Sequence, residues 1–301
     1  MQVFRDLLEK QHCHFWKPVS DSTLAGEIGS INSLPHGVKR ITKEVLACLT
    51  KCEAAIITNI GDILLYYSDN EIIGILLDFQ KAMEGVHLLS YKKIDEVLGY
   101  KIDDRMLTMI NKNVEVMRTC LNNRSLGCKL VGMICCEGIL FQTMFLIFFI
   151  LKRKAACLEI CQVNAEVLVD ESYHTATFIE MYNRCEHKCT RDEIYEIMNM
   201  FITNEDQIIE DLLSGTTIDD RVFLGEYNII NLKQHVRYTA DKILKRIGLR
   251  SYYGVAESPL EKLVESSHDL HCEELFFDLS VTAYGLDVDN KYVEDEDPDY
   301  N

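Results

Sequence analysis

The amino-acid sequence predicts an all-α protein, mainly from its proline content and its apolar spacing. Only four of the 301 residues are proline, so long helices are permitted, and 48% are apolar, which is ample for a buried core. Few stretches show the two-residue alternation that is typical of a half-buried strand. The length admits one large domain or two ordinary ones.

Seven segments have the apolar periodicity of a helix, and turn residues separate several of them. The clearest turns are residues 33–37, 122–125 and 214–215, which contain serine, asparagine, proline or glycine. The predicted helices span residues 38–60, 71–92, 104–121, 129–153, 158–183, 191–214 and 228–247.

The most apolar segment, residues 130–151, has the length and the basic flank of a transmembrane helix. Glu137 lies near its middle, where a carboxylate would be costly in hydrocarbon unless it had a functional partner. A helix that is apolar on all sides can also be the central helix of a bundle. We favour the central helix and expect no association with a membrane.

The chain has a strong net negative charge, and much of the excess is concentrated near its C-terminal end. The chain carries 31 basic and 48 acidic residues, a net charge of −17, which argues against binding to a nucleic-acid backbone. Residues 286–300 contain seven carboxylates and one lysine. Such a segment cannot bury enough apolar area to offset its ordering entropy. We therefore expect a folded domain over residues 1–285 and a disordered acidic tail over 286–301.

The twelve cysteines are interpreted as reduced thiols of a cytosolic or nuclear protein, because the chain is long and no signal peptide is expected. Three clusters combine cysteine and histidine, but none has a second half at zinc-finger spacing. We expect these clusters to be solvated side chains. They are His12-Cys13-His14, residues 185–189 and residues 268–272.

The pattern Glu-x-x-His occurs twice, at Glu84–His87 and at Glu171–His174. Positions i and i+3 share one helix face, so each copy directs a carboxylate and an imidazole at the same point. Two such helices, with one carboxylate from each of two further helices, form the ligand set of ferritin-like di-metal carboxylate proteins. The pair of motifs therefore predicts a metal centre.

Spacing supplies the two remaining carboxylates. Glu53 precedes Glu84 by 31 residues, and Glu137 precedes Glu171 by 34. Each gap suits a helix, a short connection and an antiparallel helix that returns to the same depth. Four carboxylates and two imidazoles neutralise two divalent cations and suit iron or manganese, whereas a structural zinc would more often use cysteines.

Tyr91 continues the stripe of the first motif. Leu77, Gln80, Glu84, His87 and Tyr91 follow at steps of three and four residues. The tyrosine lies one turn beyond the histidine, so its phenol can approach a metal held there. The alternative is a half-buried aromatic whose hydroxyl is hydrogen-bonded nearby.

The sequence resembles the small, radical-generating subunit of class I ribonucleotide reductase. Residues 79–87, FQKAMEGVH, resemble its FQxAMExxH helix, and residues 170–174, DESYH, match its DExxH helix. The resemblance runs from about residue 15 to 284 and implies an all-α, ferritin-like di-metal bundle with additional flanking helices. It implies the metal ligands Glu53, Glu84, His87, Glu137, Glu171 and His174.

The resemblance also assigns roles to residues around the metals. Tyr91 would carry the radical, in a pocket that includes Phe141, Phe145 and Val167. Trp16, Asp170 and His87 would form an electron route from the surface to the metals, although Trp16 can also be read as an amphipathic aromatic of the N-terminal segment. Near the other end, Phe276-Phe277 and Tyr284 match an FF(x)6Y pattern whose tyrosine relays the radical between subunits.

The implied function is that of a ribonucleoside-diphosphate reductase small subunit. A centre of two iron ions per chain, favoured over a manganese–iron pair, would use oxygen to form the Tyr91 radical. That radical would pass to a large catalytic subunit, docked through the acidic tail, for deoxyribonucleotide synthesis. The resemblance also implies a homodimer in the cytoplasm, or in the host cytoplasm if the protein is viral.

Three departures from the family pattern bear on these expectations. The first carboxylate is Glu53 where aspartate is usual, a feature shared with some herpesvirus small subunits. Val169 replaces an arginine that commonly precedes the DExxH aspartate, and the terminus 299–301 is unusual. Two other functions stay open: a ferritin-like di-iron oxygenase or desaturase, and a diverged non-catalytic partner subunit.

Overall fold

The computed structural model describes residues 1–122 and 124–261, and within them the regular elements are helices. A short 3-10 turn, Leu65–Tyr67, follows the fourth helix. The helices are α1 Gln2–Cys13, α2 Asp21–Leu24, α3 Glu27–Ser33, α4 His36–Leu64, α5 Glu71–Leu98, α6 Asp104–Leu121, α7 Leu126–Gly138, α8 Gln142–Arg153, α9 Leu158–Arg184, α10 Arg191–Leu213, α11 Ile218–Leu224 and α12 Ile229–Arg246.

Side-chain caps explain where several helices begin. Asn70, Asp103 and Ser125 each accept a hydrogen bond from the backbone N–H three residues later, at the starts of α5, α6 and α7. Thr190 and Glu193 form a reciprocal capping box at the start of α10. Each such cap satisfies a backbone donor that the helix itself leaves open, and removing one typically costs about 1 kcal/mol.

The predicted helices are confirmed, with one correction. The segment predicted as one helix over 129–153 is two helices, α7 and α8, separated by a turn at residues 139–141. At the turn, the N–H groups of Ile139 and Leu140 both donate to the carbonyl of Cys135, so the regular ladder stops. The apolar pattern runs through the break, which is why spacing did not reveal it.

Gly138 ends α7 at a close approach to its neighbours. A Cβ at this position would lie 2.8 Å from Ile243 Cδ1 of α12 and 3.2 Å from Thr175 Cγ2 of α9. Glu137 therefore lies in the last turn of a helix that is held tightly between α9 and α12. The short helices α1, α2, α3 and α11 were not predicted.

The core is a bundle in which α4 packs along α5 and α7 packs along α9. The span Leu126–Arg153 is long and apolar enough to cross a membrane, yet its most hydrophobic window is entirely buried among the other helices. This burial fits a central bundle helix. The expected independence from membranes stays a prediction, as does the division at residue 285, because Tyr284 and the tail lie outside the described residues.

Candidate metal centre

Four helices bring the six predicted ligands together. α4 contributes Glu53, α5 contributes Glu84 and His87, α7 contributes Glu137, and α9 contributes Glu171 and His174. All six side chains are fully buried. A fully buried set of four carboxylates and two imidazoles is rare in a protein interior unless something else neutralises it.

The ligand atoms form two overlapping groups. In each group, one donor atom from every member lies within 4.8 Å of the others. Glu84 and Glu171 belong to both groups, so these two carboxylates could contribute to both halves of a two-ion site. The first group is Glu53, Glu84, His87 and Glu171, and the second is Glu84, Glu137, Glu171 and His174.

The two imidazoles each face carboxylates from both motif helices. His87 Nδ1 lies 3.3 Å from Glu84 Oε2 on its own helix and 3.2 Å from Glu171 Oε1 on α9. His174 Nδ1 lies 3.4 Å from Glu171 Oε2 and 2.7 Å from Glu84 Oε1 across the bundle. Both Nδ1 atoms therefore face the same small space as the carboxylates of Glu84 and Glu171.

The donor atoms fit a pair of divalent cations. Among the described residues, both oxygens of Glu53, Glu84 and Glu171, and Nδ1 of both histidines, find no hydrogen-bond partner outside this cluster, and within it they crowd to as little as 2.7 Å. Burying a carboxylate without a partner of opposite charge costs several kcal/mol, so proteins rarely place one in the core. Four carboxylates balance two divalent ions, and oxygen with imidazole donors suits iron or manganese.

The pKa values of the ligands show how strongly these charges interact. Burial raises the pKa of Glu53 and of Glu137 well above the usual range, and neighbouring carboxylates raise it further. Burial also raises the pKa of Glu84, but His174 and His87 outweigh that effect and leave it well below the usual range. His174 is held at a pKa of about 10 because Glu84 and Glu171 outweigh its burial.

Glu137 has a polar neighbour that orients it. Gln80 Nε2 donates to Glu137 Oε1 at 3.2 Å, and both side chains are fully buried. Gln80 belongs to the stripe that the sequence showed, but its contact with a ligand on another helix was not foreseen. Fixing one carboxylate oxygen leaves the other, Oε2, directed to the centre without a partner among the described residues.

Trp16, Asp170 and His87 form a chain of side-chain contacts. Asp170 Oδ2 accepts from Trp16 Nε1 at 2.8 Å and lies 2.9 Å from His87 Nε2. The Trp16 and His87 rings stack at 5.8 Å with an angle of 18°. A partly exposed indole is thereby joined to a buried ligand through a single carboxylate oxygen.

The second oxygen of Asp170 faces a residue that sequence reasoning discounted. His14 Nε2 lies 3.8 Å from Asp170 Oδ1 and 3.5 Å from Glu166 Oε2. Val169, which replaces the usual arginine, is an apolar side chain that is almost fully buried. The expectation that the cluster at residues 12–14 is simply solvated is therefore wrong for His14, whose proximity to Trp16 in the chain was the available signal.

Tyr91 is fully buried rather than half-buried. Its hydroxyl donates a long hydrogen bond, 3.5 Å, to Asn164 Oδ1. Burial raises the pKa of Tyr91 well above its usual range, and the nearby charge of Glu53 raises it further. Asn164 was not foreseen, although it lies seven residues before Glu171 and thus on the same face of α9.

Phe141, Phe145 and Val167, which the resemblance assigns to a pocket around the radical, are buried apolar side chains. Phe141 and Phe145 lie with ring centroids 5.6 Å apart, and Val167 is fully buried. Phe141 immediately precedes α8, so the break in the helix at residues 139–141 decides where these rings lie.

Paired Glu-x-x-His helices around a buried carboxylate centre define the class of ferritin-like di-metal proteins. A sequence model described as "Ribonucleotide reductase, small chain" matches residues 2–259. The small subunit of ribonucleoside-diphosphate reductase from Saimiriine herpesvirus 2 (strain 11) is 23% identical over 264 residues, which cover 83% of each chain.

Solved structures share the fold. The Rnr4 homodimer of ribonucleotide reductase from Saccharomyces cerevisiae superposes with a TM-score of 0.73 at 16% identity, covering 86% of this chain and 83% of that one. A dimanganese(II) NrdF from Streptococcus sanguinis gives a TM-score of 0.68 at 18% identity, covering 85% and 91%. The chain belongs to the ribonucleotide reductase small-chain family, and its function is that of a small subunit of ribonucleoside-diphosphate reductase.

Proposed function

We propose that this subunit forms a radical at Tyr91 and passes it to a large catalytic subunit. The observation that carries the proposal is the group of six fully buried ligands, most of whose donor atoms have no other partner in the described chain, beside a fully buried tyrosine. Glu53, Glu84, His87, Glu137, Glu171 and His174 would hold two metal ions. When bound, those ions supply the oxidising power of oxygen at this site.

Tyr91 is suited to become a long-lived radical. Oxidation removes one electron and the phenol proton, and the raised pKa of Tyr91 keeps that proton in place until the electron leaves. Solvent does not reach the side chain, and the apolar group of Phe141, Phe145 and Val167 would exclude reductants. Asn164 would hold the Tyr91 ring by accepting a hydrogen bond from its hydroxyl, and the neutral amide places no charge beside it.

Electrons from the surface would travel through Trp16, Asp170 and His87. Hydrogen bonds of 2.8 and 2.9 Å to one oxygen of Asp170 support this route, because they leave no gap between the indole and the ligand. Asp170 would hold His87 in the ring orientation that directs Nδ1 at the metal, as an outer carboxylate commonly does for a ligating histidine. Tyr284 would complete the relay to the large subunit.

The metal and the assembly follow from the family as further parts of the proposal. We propose two iron ions per chain, because a tyrosine at position 91 favours di-iron. A neighbour with the same fold binds two manganese(II) ions. Homodimerisation, docking of the large subunit on the acidic tail and a cytoplasmic location complete it. An oxygenase or desaturase would need a substrate channel to the ligands, and their full burial gives that alternative no support.

The test is to load the protein with ferrous iron without oxygen, then admit oxygen and record the visible absorption and electron-spin spectra. We expect a sharp absorption near the ultraviolet border and a tyrosyl signal. Tyr91→Phe is the matched control, since it should bind the same amount of iron and lose only the signal. A protein that holds two irons per chain and gives no tyrosyl signal would refute the proposal, and a signal that survives in Tyr91→Phe would assign the radical elsewhere.

A further inference from the structure

Two cysteines outside the metal centre are in direct contact. The Sγ atoms of Cys128 and Cys189 lie 2.8 Å apart although the residues are separated by 61 positions in the chain. Cys128 lies in the first turn of α7, and Cys189 directly precedes Thr190, the cap of α10. A disulfide bond is about 2.05 Å long. Joining the two sulfurs therefore requires little movement.

The backbone, and not only the side-chain rotamers, builds this contact. A Cβ at Gly127 would lie 2.5 Å from the carbonyl oxygen of His187 and 3.0 Å from the backbone nitrogen of Cys189. Any larger residue at 127 would push the 187–189 segment away from α7. Glycine at this position thus lets the segment lie against the helix, with Cys189 beside Cys128.

The pair is protected rather than freely reactive. Both cysteines are buried, whereas Cys185, four residues before Cys189, is partly exposed. Burial, together with the hydrogen bond to Cys128, raises the pKa of Cys189 well above its usual range. Thiolate is the reactive form, so oxidation should be slow at neutral pH and faster in alkali. This corrects the expectation that residues 185–189 are all solvated.

A shared metal ion is not the better explanation of the pair. Among the described residues, the groups that offer three or more potential ligands within 4.8 Å of one another are the two at the di-metal centre. Two thiols without a third donor are too few for a tetrahedral zinc site, which takes four ligands in structural examples.

We propose that Cys128 and Cys189 are a redox pair that a peroxide converts to a disulfide, fastening the start of α7 to the segment before α10. One thiolate attacks the peroxide oxygen, which breaks the O–O bond and gives a sulfenic acid. The other thiolate attacks that sulfur and displaces hydroxide. With hydrogen peroxide the balance is two thiols and one peroxide to one disulfide and two waters.

The bond would connect elements that hold metal ligands. α7 carries Glu137, and the segment that contains Cys189 follows α9, which carries Glu171 and His174. The oxidised chain should therefore resist separation of α7 from α9 and unfold at a higher temperature than the reduced chain. This effect does not depend on whether Tyr91 forms a radical.

Trypsin can locate the bond directly. The reduced full chain is treated with hydrogen peroxide, its remaining thiols are alkylated, and it is digested without reductant. Cleavage after lysine and arginine separates the three neighbouring cysteines into different peptides, 125–129, 185–188 and 189–191. We expect 125–129 to be joined to 189–191, and the join to disappear on reduction. In the unfolded oxidised chain, Cys128 and Cys189 should escape alkylation until a reductant is added.

Three variants sharpen the test. Cys189→Ser should abolish the joined peptide, and Cys185→Ser should leave it intact. Gly127→Ala keeps both thiols but should lower the yield several-fold, because its Cβ displaces the segment. If Gly127→Ala fails to fold by circular dichroism, the two cysteine variants still decide the matter.

Oxidation of Cys13, an exposed thiol in the tryptic peptide 11–39, shows that the peroxide was effective; trypsin does not cleave between Lys17 and Pro18. A wild-type chain with Cys13 oxidised and still no joined peptide after prolonged treatment at alkaline pH would overturn the proposal. A join between 185–188 and either other peptide would overturn it equally, since the reactive pair would then be a different one.

Discussion

Glu205 on α10 offers a stability prediction whose size follows from the structure. The side chain is fully buried and neither carboxylate oxygen has a hydrogen-bond partner among the described residues. Burial raises its pKa from 4.5 to about 8, and the nearby Thr143 only partly opposes that effect. The folded protein therefore keeps a proton on Glu205 at pH 7 that the unfolded chain releases.

This proton makes folding less favourable as the pH rises. Because the folded pKa is the higher one, the contribution of Glu205 to stability is fully present below pH 4.5 and is lost as the pH rises towards 8. Each pKa unit corresponds to about 1.4 kcal/mol, so the loss is about 3 kcal/mol at pH 7 and under about 1 kcal/mol at pH 5. The glutamine variant Glu205→Gln has nearly the same size and releases no proton.

We expect Glu205→Gln to be more stable than wild type by about 3 kcal/mol at pH 7, with the difference falling to under about 1 kcal/mol at pH 5. The assay is urea unfolding of both proteins in the same metal state at several pH values. Glu210→Gln, an exposed position on the same helix paired with Lys233, is the control and should change stability by at most about 1 kcal/mol at either pH. A difference for Glu205→Gln that stays constant between pH 5 and 8 would refute the reasoning.

The remaining predictions concern the ligands, a buried histidine and the tail. His87→Ala should lose at least one metal per chain by metal analysis, whereas Glu53→Asp, which shortens the reach by one methylene, should be the mildest ligand change; full metal content in both would contradict the ligand set. Burial lowers the pKa of His235 from 6.5 to about 4. The free energy of unfolding should therefore fall by about 3 kcal/mol as the pH drops from 6.5 to 4. His235→Gln should remove this pH dependence from acid unfolding curves. Deleting the residues after Asp289 should preserve iron uptake and the Tyr91 signal and abolish reductase activity with the large subunit, and full activity of the truncated chain would exclude docking by the tail. Tyr284→Phe should bind the large subunit and stop turnover, since phenylalanine is not oxidised at an accessible potential; normal turnover would move the relay to another residue.

The sequence departures from the family pattern acquire a physical meaning in the structure. Val169 stands where the family commonly has an arginine, and in this chain His14 Nε2 lies 3.8 Å from Asp170 Oδ1. His14 comes from the end of α1, a helix that the apolar spacing did not predict. Its approach to Asp170 depends on how α1 packs against α5 and α9.

Apolar spacing and motif spacing were enough to predict the helical class and to select six candidate ligands that the fold brings together. Glu84–His87 and Glu171–His174 share a face because the helix repeats every 3.6 residues, a local property that spacing records directly. Glu53 and Glu137 were expected at the same level along the bundle as the motif glutamates, because each precedes one by the length of an antiparallel helical hairpin. Local geometry was enough to pair the ligands within each half of the bundle, whereas the meeting of α4 and α5 with α7 and α9 around one cluster is a tertiary contact.

Contacts between distant segments could not be predicted from the sequence pattern and became visible only in the packed helices. The break at residues 139–141 lies inside an unbroken apolar run, so no change in pattern marks it. The contact of Cys128 with Cys189 depends on the close approach of a loop over Gly127, and that of Gln80 with Glu137 on the packing of α5 near α7. Such contacts join residues far apart in the chain. Their geometry is set by how whole helices pack, which periodicity within each helix does not specify.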